Sequence, residues 1–372
     1  MGNYIIISDI PTPWREPVFE RVYRKFNGKI DIVYFNNNEK RRLWNFKMGN
    51  YPKIILKAIT FTTNGTERFF NPELIPLLIK SRPRIAIVFA CIKDPSGWIA
   101  MSLCKLLGIK VALLDDTWLG RDQGINPIQR MARHIVYKFF GNAFVGTSLQ
   151  TLVMMKYYNS RISKERCFLS HLVADNEYFE SRLNNKKIER RFDVMFSGRI
   201  VNIKNPLFFA EVCAKIKSKL GKCSVLIIGE GDETLKIQMQ QIFEQYKIYY
   251  EFAGFIKHEE LPDYYSQAKL LLLPTSGDCW GVVLNEAMVC GLPVITTNMT
   301  AAAGELVIDG ENGYILPLDS ELWAEKICSL LTDEEKYKTF SLKAKEKVSE
   351  FTFERAAQGI IDAIKYLENL RK

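Results

Sequence analysis

The sequence of 372 residues predicts an α/β protein built from two doubly wound domains. Its length exceeds that of one ordinary domain, and short β-branched runs alternate with amphipathic segments. The pattern restarts near residue 190, after the polar and charged stretch 184–191. We therefore expect an N-terminal domain over residues 1–185 and a C-terminal domain over residues 190–352. Ligands of such sheets bind at the carboxyl ends of the strands, so we also expect a cleft between two facing domains.

The buried strands can be placed from their apolar runs. Four are predicted in the first half, at residues 4–7, 30–35, 85–90 and 111–114, with helix-like stretches at 16–26 and 97–107. Five are predicted in the second half, at residues 192–196, 223–228, 249–252, 270–273 and 294–296. Residues 353–372 read as a terminal amphipathic helix, which we expect to pack back onto the N-terminal domain.

Composition favours a soluble globular protein in a reducing compartment. Hydrophobic residues make up 47% and charged residues 25%. The longest uncharged stretch, 287–304, is too polar to span a bilayer, and the N-terminus lacks the basic region of a signal peptide. No two of the eight cysteines are closer than ten residues, which excludes CxxC zinc and redox motifs. The expected location is cytoplasmic.

Positive charge is concentrated in the first half. Residues 1–185 hold 27 Lys and Arg against 15 Asp and Glu, a net charge of +12, whereas the remainder holds 24 against 27, a net charge of −3. This asymmetry indicates an anionic partner: nucleic acid, an anionic lipid surface or a phosphorylated substrate. The absence of a zinc finger, an RNP-type sequence and an Arg-rich tail argues against nucleic acid. Residues 40–47 interleave cations with aromatics, and form either a membrane-surface segment or a solvated loop around a buried Trp44.

The stretch 274–294 carries the most chemical information. It follows a predicted strand, so residues 274–280 form a strand-to-helix loop and 281–289 a helix. The free amides and positive dipole of the helix start favour an anion, with Asp278 ahead of them and Glu286 behind. Two carboxylates flanking a phosphate cradle suit a sugar-diphosphate-ribose ligand. The alternatives are a capping role for Asp278 and a solvent-facing position for Glu286.

The same stretch resembles the retaining glycosyltransferase family 4, whose members have the two-domain GT-B fold. The family signature places two Glu residues eight positions apart around Trp-Gly and Asn-Glu-Ala. This chain has Asp278, Trp280-Gly281 and Asn285-Glu286-Ala at the same spacing, with Asp in place of the first Glu. The resemblance implies sugar transfer from a nucleotide-diphosphate donor, with retention and without a metal or cofactor.

Four further segments follow the family order, around Gly198-Arg199 and Lys204, Gly229 and Gly231, Phe255-Ile256, and 304–313. They imply that Arg199 and Lys204 contact the donor diphosphate and that the segment at Phe255 and Ile256 contacts the nucleobase. The donor-binding residues implied by the resemblance are Gly198, Arg199, Lys204, Phe255, Ile256, Gly281, Val282, Val283 and Glu286.

The N-terminal half resembles the family more loosely. The segment from Asp9 to Arg15 is similar to the first strand-helix loop of one subgroup and marks the acceptor side, where Arg15 either holds an acceptor phosphate or is a helix-start charge. Many family members carry a histidine after the fourth strand, and this chain has only His134, His171 and His258. At the matching place Asp116 is the candidate for the sugar contact. The catalytic candidates are thus Asp278, Glu286 and Asp116.

The leading hypothesis is a retaining glycosyltransferase using a UDP- or GDP-sugar and a lipid-linked or polysaccharide-precursor acceptor. Such an enzyme would be cytoplasmic, with an anionic membrane at the inner face of the cell as a candidate partner. A nucleotide-sugar 2-epimerase of the same fold and a basic nucleic-acid-binding module are the alternatives. The sequence does not fix the oligomeric state.

Overall fold

The computed structural model describes residues 2–39, 48–63, 66–122, 124–184 and 189–370, and the segment 40–47 singled out above lies outside them. The chain divides into two compact units. The first unit comprises residues 1–172 and 353–372, and the second comprises residues 173–352. The boundary lies earlier than the expected position at 185, because the helix Asn176–Leu183 packs on helices of the second unit.

The first unit contains a seven-stranded parallel sheet and a separate hairpin. Its strands are β1 (Tyr4–Ser8), β2 (Ile30–Tyr34), β3 (Ile54–Ile55), β4 (Ile59–Thr63), β5 (Thr66–Phe70), β6 (Ile85–Phe89), β7 (Lys110–Asp115), β8 (Ala143–Gly146) and β9 (Cys167–Leu169). Strands β4 and β5 pair antiparallel with each other, and the others form the sheet in the order β3-β2-β1-β6-β7-β8-β9. The hairpin was not expected, because every residue of β4 is exposed and its sequence has no buried face.

Helices cover the faces of this sheet. They are α1 (Glu16–Lys25), α2 (Leu74–Ser81), α3 (Pro95–Leu106), α4 (Pro127–Phe139), α5 (Leu149–Tyr158) and the C-terminal helix Phe353–Asn369. The C-terminal helix packs on α1, β8 and β9, and its apolar stripe is buried there. Gly359 permits this approach, because a side chain at that position would collide with the carbonyl of Leu169. Covered on both faces, the strands are almost continuously apolar.

The second unit is a six-stranded parallel sheet wrapped by helices. Its strands are β10 (Phe192–Ser197), β11 (Ser224–Ile228), β12 (Tyr249–Gly254), β13 (Ala268–Leu273), β14 (Val294–Thr296) and β15 (Gly313–Ile315). Its helices are α6 (Asn176–Leu183), α7 (Pro206–Leu220), α8 (Glu233–Gln245), α9 (Leu261–Tyr265), α10 (Val282–Val289), α11 (Ser320–Thr332) and α12 (Glu334–Val348). The strand order is β12-β11-β10-β13-β14-β15. The predicted class of two doubly wound α/β sheets is confirmed.

Each sheet has one topological switch point, where successive strands run outward in opposite directions. It lies between β1 and β6 in the first sheet and between β10 and β13 in the second. Ligands of doubly wound sheets bind beyond the carboxyl ends of the strands at this point. Within the described ranges, no helix combines the length and apolar character needed to cross a membrane.

Candidate functional site

Beside the switch point of the second unit, backbone contacts alone join the ends of β10, β11 and β12. Gly198 follows β10, and its amide donates to the carbonyl of Ile228 at 3.0 Å. Gly229 follows β11, donates to the carbonyl of Gly254 at 2.8 Å and has a φ of +123°. A Cβ at Gly229 would collide with the carbonyl oxygen of Gly198. Glycine therefore lets three strand ends meet without side chains, which leaves room for a ligand above them.

Beside these strand ends, the loop after β13 turns sharply into α10. Gly281 caps the helix with a φ of +88°, a conformation that favours glycine. The buried indole of Trp280 donates to Asn285 Oδ1 at 2.8 Å, and the Thr300 hydroxyl donates to the carbonyl of Trp280. These bonds fix the first turn, whose amides have no acceptor within the helix. Gly281, Val282 and Val283, the residues of the predicted anion site, therefore form a rigid helix start.

Glu286 lies half-buried on α10 in a hydrogen-bonded cluster. The Tyr265 hydroxyl, from α9, donates to Glu286 Oε2 at 2.6 Å, and Ser197 Oγ at the end of β10 lies 2.8 Å from the same hydroxyl. Burial raises the pKa of Glu286, although the hydrogen bond from Tyr265 and the nearby His258 oppose this. One carboxylate oxygen is thus fixed by the fold, and Glu286 is not a solvent-facing helix residue.

Asp278 forms an ion pair with Lys204, and the two side chains are 19% and 14% exposed. The pair joins the loop after β13 to the loop after β10. Asn205 reinforces this connection, because its Nδ2 donates to the carbonyl of Pro274 at 2.7 Å and to Ser276 Oγ at 2.6 Å. Two residues that the sequence assigned to different roles, sugar chemistry and diphosphate binding, are therefore direct partners.

The remaining predicted donor residues lie at the rim of the same strand ends. Arg199 is exposed directly after Gly198. Phe255 is exposed and Ile256 is half-buried after β12. Sequence reasoning missed Tyr265, Ser197 and His258. Of these three, only Ser197 could have been singled out from the sequence, because it is a polar residue at the end of the first strand of the second sheet.

In the first unit, Arg15 is the centre of the switch point. This buried residue precedes α1, and its guanidinium lies 3.0 Å from Asp9 Oδ1 and 2.7 Å from Asp116 Oδ2. The guanidinium also stacks 4.0 Å above the ring of Phe89. Burial lowers the pKa of Arg15, but the carboxylates of Asp9 and Asp116 raise it, and the net effect is a raised pKa. The two predicted acceptor-side residues, Asp9 and Arg15, therefore lie together with the catalytic candidate Asp116, and the two carboxylates balance the charge of Arg15.

A second buried network holds the loop that carries Asp116. Arg133 on α4 lies 2.9 Å from Asp122 and 3.8 Å from Asp115, and Tyr137 donates to Asp115. Burial raises the pKa of Asp116 itself, although the Arg15 guanidinium opposes this. His134 is bonded to the carbonyl of Tyr158 at 2.9 Å and is thus a packing residue of α4 and α5. In the described part of the chain, no group of His, Cys, Asp and Glu is arranged to hold a metal ion.

Residues 178–347 match the family model of the group 1 glycosyltransferases. The 2-deoxystreptamine N-acetyl-D-glucosaminyltransferase of Niallia circulans is 28% identical over 175 residues, which are 46% of this chain and 44% of the relative. A capsular polysaccharide biosynthesis glycosyltransferase of Staphylococcus aureus is 28% identical over 206 residues, which are 52% of this chain and 53% of the relative. The chain thus spans about half the length of the curated relatives it matches.

Solved structures show the same fold over the whole chain. The Anabaena protein HepE, in complex with UDP and glucose, superposes with a TM-score of 0.71 at 15% identity and covers 100% of both chains. The pneumococcal O-GlcNAc transferase, in complex with UDP and GlcNAc, has a TM-score of 0.65 at 12% identity and covers 99% of each chain. These likenesses show that the chain has the GT-B fold. The match to the group 1 glycosyltransferases, also called family 4, covers just under half of the chain and falls on the second unit, where the motifs predicted it.

Proposed function

We propose that this protein is a retaining glycosyltransferase that binds a nucleotide-diphosphate sugar on its second unit and transfers the sugar to a hydroxyl group of an acceptor bound by its first unit. The observation that carries the proposal is the second switch point. There, a rigid helix start, a cation and an anchored carboxylate lie beside strand ends at which glycines make the backbone contacts. Each of these groups matches one part of the donor.

The diphosphate is the part that needs positive charge. The first-turn amides at Val282 and Val283 would bind phosphate oxygens, as helix starts commonly do. Lys204 and Arg199 would neutralise the charge that develops as the nucleoside diphosphate leaves. In this proposal Asp278 orients the Lys204 ammonium, since the ion pair fixes it beside the loop that leads to α10.

The ribose is the part that needs hydrogen-bond acceptors. Tyr265 holds one oxygen of Glu286, so the carboxylate is kept in a single orientation toward the ligand. A carboxylate so held accepts hydrogen bonds from paired hydroxyl groups. A preorganised acceptor of this kind lowers the entropic cost of binding.

In the reaction we propose, the acceptor oxygen forms a bond to the anomeric carbon of the sugar, and the bond from that carbon to the β-phosphate oxygen breaks. The acceptor proton passes to the departing phosphate oxygen, which lies on the same face of the sugar when configuration is retained. The protein contributes orientation and charge stabilisation, and neither a metal nor a covalent enzyme intermediate is needed.

Two finer points concern the substrates. UDP-sugars are favoured over GDP-sugars because the structural neighbours HepE and the pneumococcal transferase were crystallised with UDP. A polysaccharide or lipid-linked precursor is favoured as the acceptor because relatives include a capsular polysaccharide transferase. The relative named for 2-deoxystreptamine shows that acceptors differ among the proteins this chain resembles.

We also propose that the enzyme works at the cytoplasmic face of a membrane, bound to it peripherally. The net charge of +12 in residues 1–185 favours an anionic surface. Helix α4 adds exposed apolar side chains at Ile128, Met131 and Phe139 beside the exposed Lys138. Sedimentation with vesicles should show binding to phosphatidylglycerol and little binding to phosphatidylcholine. Equal binding to both would contradict this part of the proposal.

The transferase proposal is tested with a panel of UDP-, GDP-, CDP- and dTDP-sugars, with product detection by mass spectrometry and anomeric configuration by NMR. We expect turnover in EDTA with one UDP-sugar, and loss of more than about 100-fold in Glu286→Ala because the ribose contact is removed. Glu335→Ala, at an exposed site on α12, is the matched control and should remain fully active. Strict dependence on a divalent metal, or an inverted product, would contradict the mechanism.

A further inference from the structure

One strand of the hairpin β4–β5 packs on the first unit, and the other lies at its surface. Phe69 on β5 is buried in the core, and its amide donates to Asp94 Oδ1 at 3.2 Å. Every residue of β4 is exposed, including Ile59 and Phe61. Large apolar side chains on an exposed strand are a surface that other molecules commonly cover. The hairpin is therefore a candidate interaction surface.

The exposed apolar side chains lie close together in the chain. Ile59 and Phe61 are two positions apart on β4 and share one face of the hairpin, where Arg68 lies opposite Phe61. Their exposed fractions are 58% and 43%. Strand β3, at the edge of the seven-stranded sheet, adds Ile54 and Ile55, which are 37% and 41% exposed. Four large apolar side chains are thus exposed within eight residues.

The sequence that contains these side chains is cationic. Residues 40–66 include six Lys and Arg and no Asp or Glu. Lys57, between β3 and β4, is exposed, and its amide donates to Glu73 Oε2 at 3.3 Å. Lys53 is paired with the buried Glu16. Basic residues interleaved with apolar ones are typical of segments that lie on an anionic bilayer.

A second copy of the chain is the alternative occupant. Within the described ranges β4 pairs with β5 alone, so its outer edge could pair with the same strand of another copy. Such a contact would bring two cationic segments together, and like charges at an interface oppose association. An anionic lipid surface can accept the apolar side chains and the cations together. The chemistry of this surface therefore favours a bilayer.

We propose that the hairpin β4–β5, together with β3, inserts its apolar side chains into the surface of an anionic bilayer. The inference rests on the proposed membrane location and names the element that enters the lipid. Strand β5 also contributes Glu67 and Arg68 to a pocket of about 130 Å³ that Arg15 and Asp116 line at the switch point of the first unit. Insertion of β4 thus holds this candidate acceptor pocket at the membrane, where a lipid-linked acceptor resides.

Sedimentation with vesicles of phosphatidylglycerol tests the role of the hairpin. Ile59→Ser and Phe61→Ser should each weaken binding at least about fivefold, because each removes apolar surface that the lipid buries. Lys57→Gln should weaken binding about fivefold, since one cation near the anionic surface is lost. Ile237→Ser, at a site that is 51% exposed on α8 of the second unit, is the matched control and should bind as the native protein does. Normal binding by Ile59→Ser and Phe61→Ser would overturn the proposal.

A photo-crosslinking amino acid identifies what lies against the hairpin. With p-benzoylphenylalanine in place of Phe61, irradiation of the full chain on the same vesicles should attach a phospholipid, which mass spectrometry detects as one added lipid mass. The same amino acid in place of Tyr246, exposed after α8, is the control and should give no lipid adduct. A crosslinked dimer without a lipid adduct at position 61 would overturn the proposal in favour of a second copy.

Two measurements separate this inference from the functions on which it rests. The variant Ile59→Ser/Phe61→Ser should bind UDP as tightly as the native protein in calorimetry, because the proposed donor site lies on the second unit. Absence of UDP binding by the native protein would count against the transferase, and absence of vesicle binding by it would contradict the membrane location. Vesicle binding that persists in the hairpin variants but is lost in Ile128→Ser on α4 would refute the hairpin alone.

Discussion

Replacing Tyr265 by Phe removes a single hydroxyl group from the cluster around Glu286. That hydroxyl lies 2.6 Å from Glu286 Oε2 and 2.8 Å from Ser197 Oγ, and it is the bond that fixes the carboxylate. Hydrogen bonds to charged groups contribute about 1.5–3 kcal/mol. If the carboxylate must be held to bind ribose, Tyr265→Phe should weaken UDP binding roughly 10- to 150-fold.

Isothermal calorimetry with UDP measures this directly, and a double-mutant cycle locates the effect. Tyr265 acts through Glu286, so the double variant Tyr265→Phe/Glu286→Gln should bind UDP about as weakly as Glu286→Gln alone. Tyr246→Phe, at an exposed site after α8, is the control and should bind normally. Normal UDP binding by Tyr265→Phe, alongside a large loss in Glu286→Gln, would refute the positioning role of Tyr265.

Three further predictions use other parts of the structure. Gly229→Ala should destabilise the fold by about 3 kcal/mol or more and lower the thermal midpoint strongly, because the added Cβ would collide with the Gly198 carbonyl at a φ of +123°. Gly221→Ala, at a φ of +70° with open space around it, should cost only about 1 kcal/mol. Similar thermal midpoints for the two variants would contradict this prediction. Asp278→Glu should keep transferase activity within about threefold of the native level, because the ion pair with Lys204 can persist. Asp278→Asn should lower the activity more than about tenfold, because the ion pair is lost. Equal activities of the two variants would exclude the ion pair from the reaction. Burial raises the pKa of Asp94 from 3.8 to about 6, so the folded state binds this proton more tightly than the unfolded chain and stability is lost as the pH rises through that interval. Asp94→Asn should therefore be more stable than the native protein by about 1–3 kcal/mol at pH 7.5 and nearly equal to it at pH 4, and a gap independent of pH would be inconsistent with a raised pKa.

The fold class could be predicted because parallel strands covered on both faces leave long apolar runs in the sequence. The five strands expected after residue 190 correspond to β10 to β14. The hairpin β4–β5 was missed because the exposed side chains of β4 leave no such run. The unit boundary was placed too late because the packing of α6 on α9 and α10 leaves no mark on its own residues.

The residues of the candidate donor site could be chosen from the sequence, but the pairs that they form could not. The motif placed Asp278 and Glu286 on one loop and helix, whereas Lys204 is 74 positions from its partner Asp278. Tyr265 reaches Glu286 from a short helix with no sequence signature. In the first unit, Arg15 and Asp116 are 101 positions apart, so their pairing is a product of the sheet order.

A crystal structure with bound UDP tests most directly where the donor lies. We expect the diphosphate at the first turn of α10, near Lys204 and Arg199, and a ribose hydroxyl within hydrogen-bonding distance of Glu286. A nucleotide bound away from these strand ends, with Glu286 and Lys204 making no contact to it, would contradict the account.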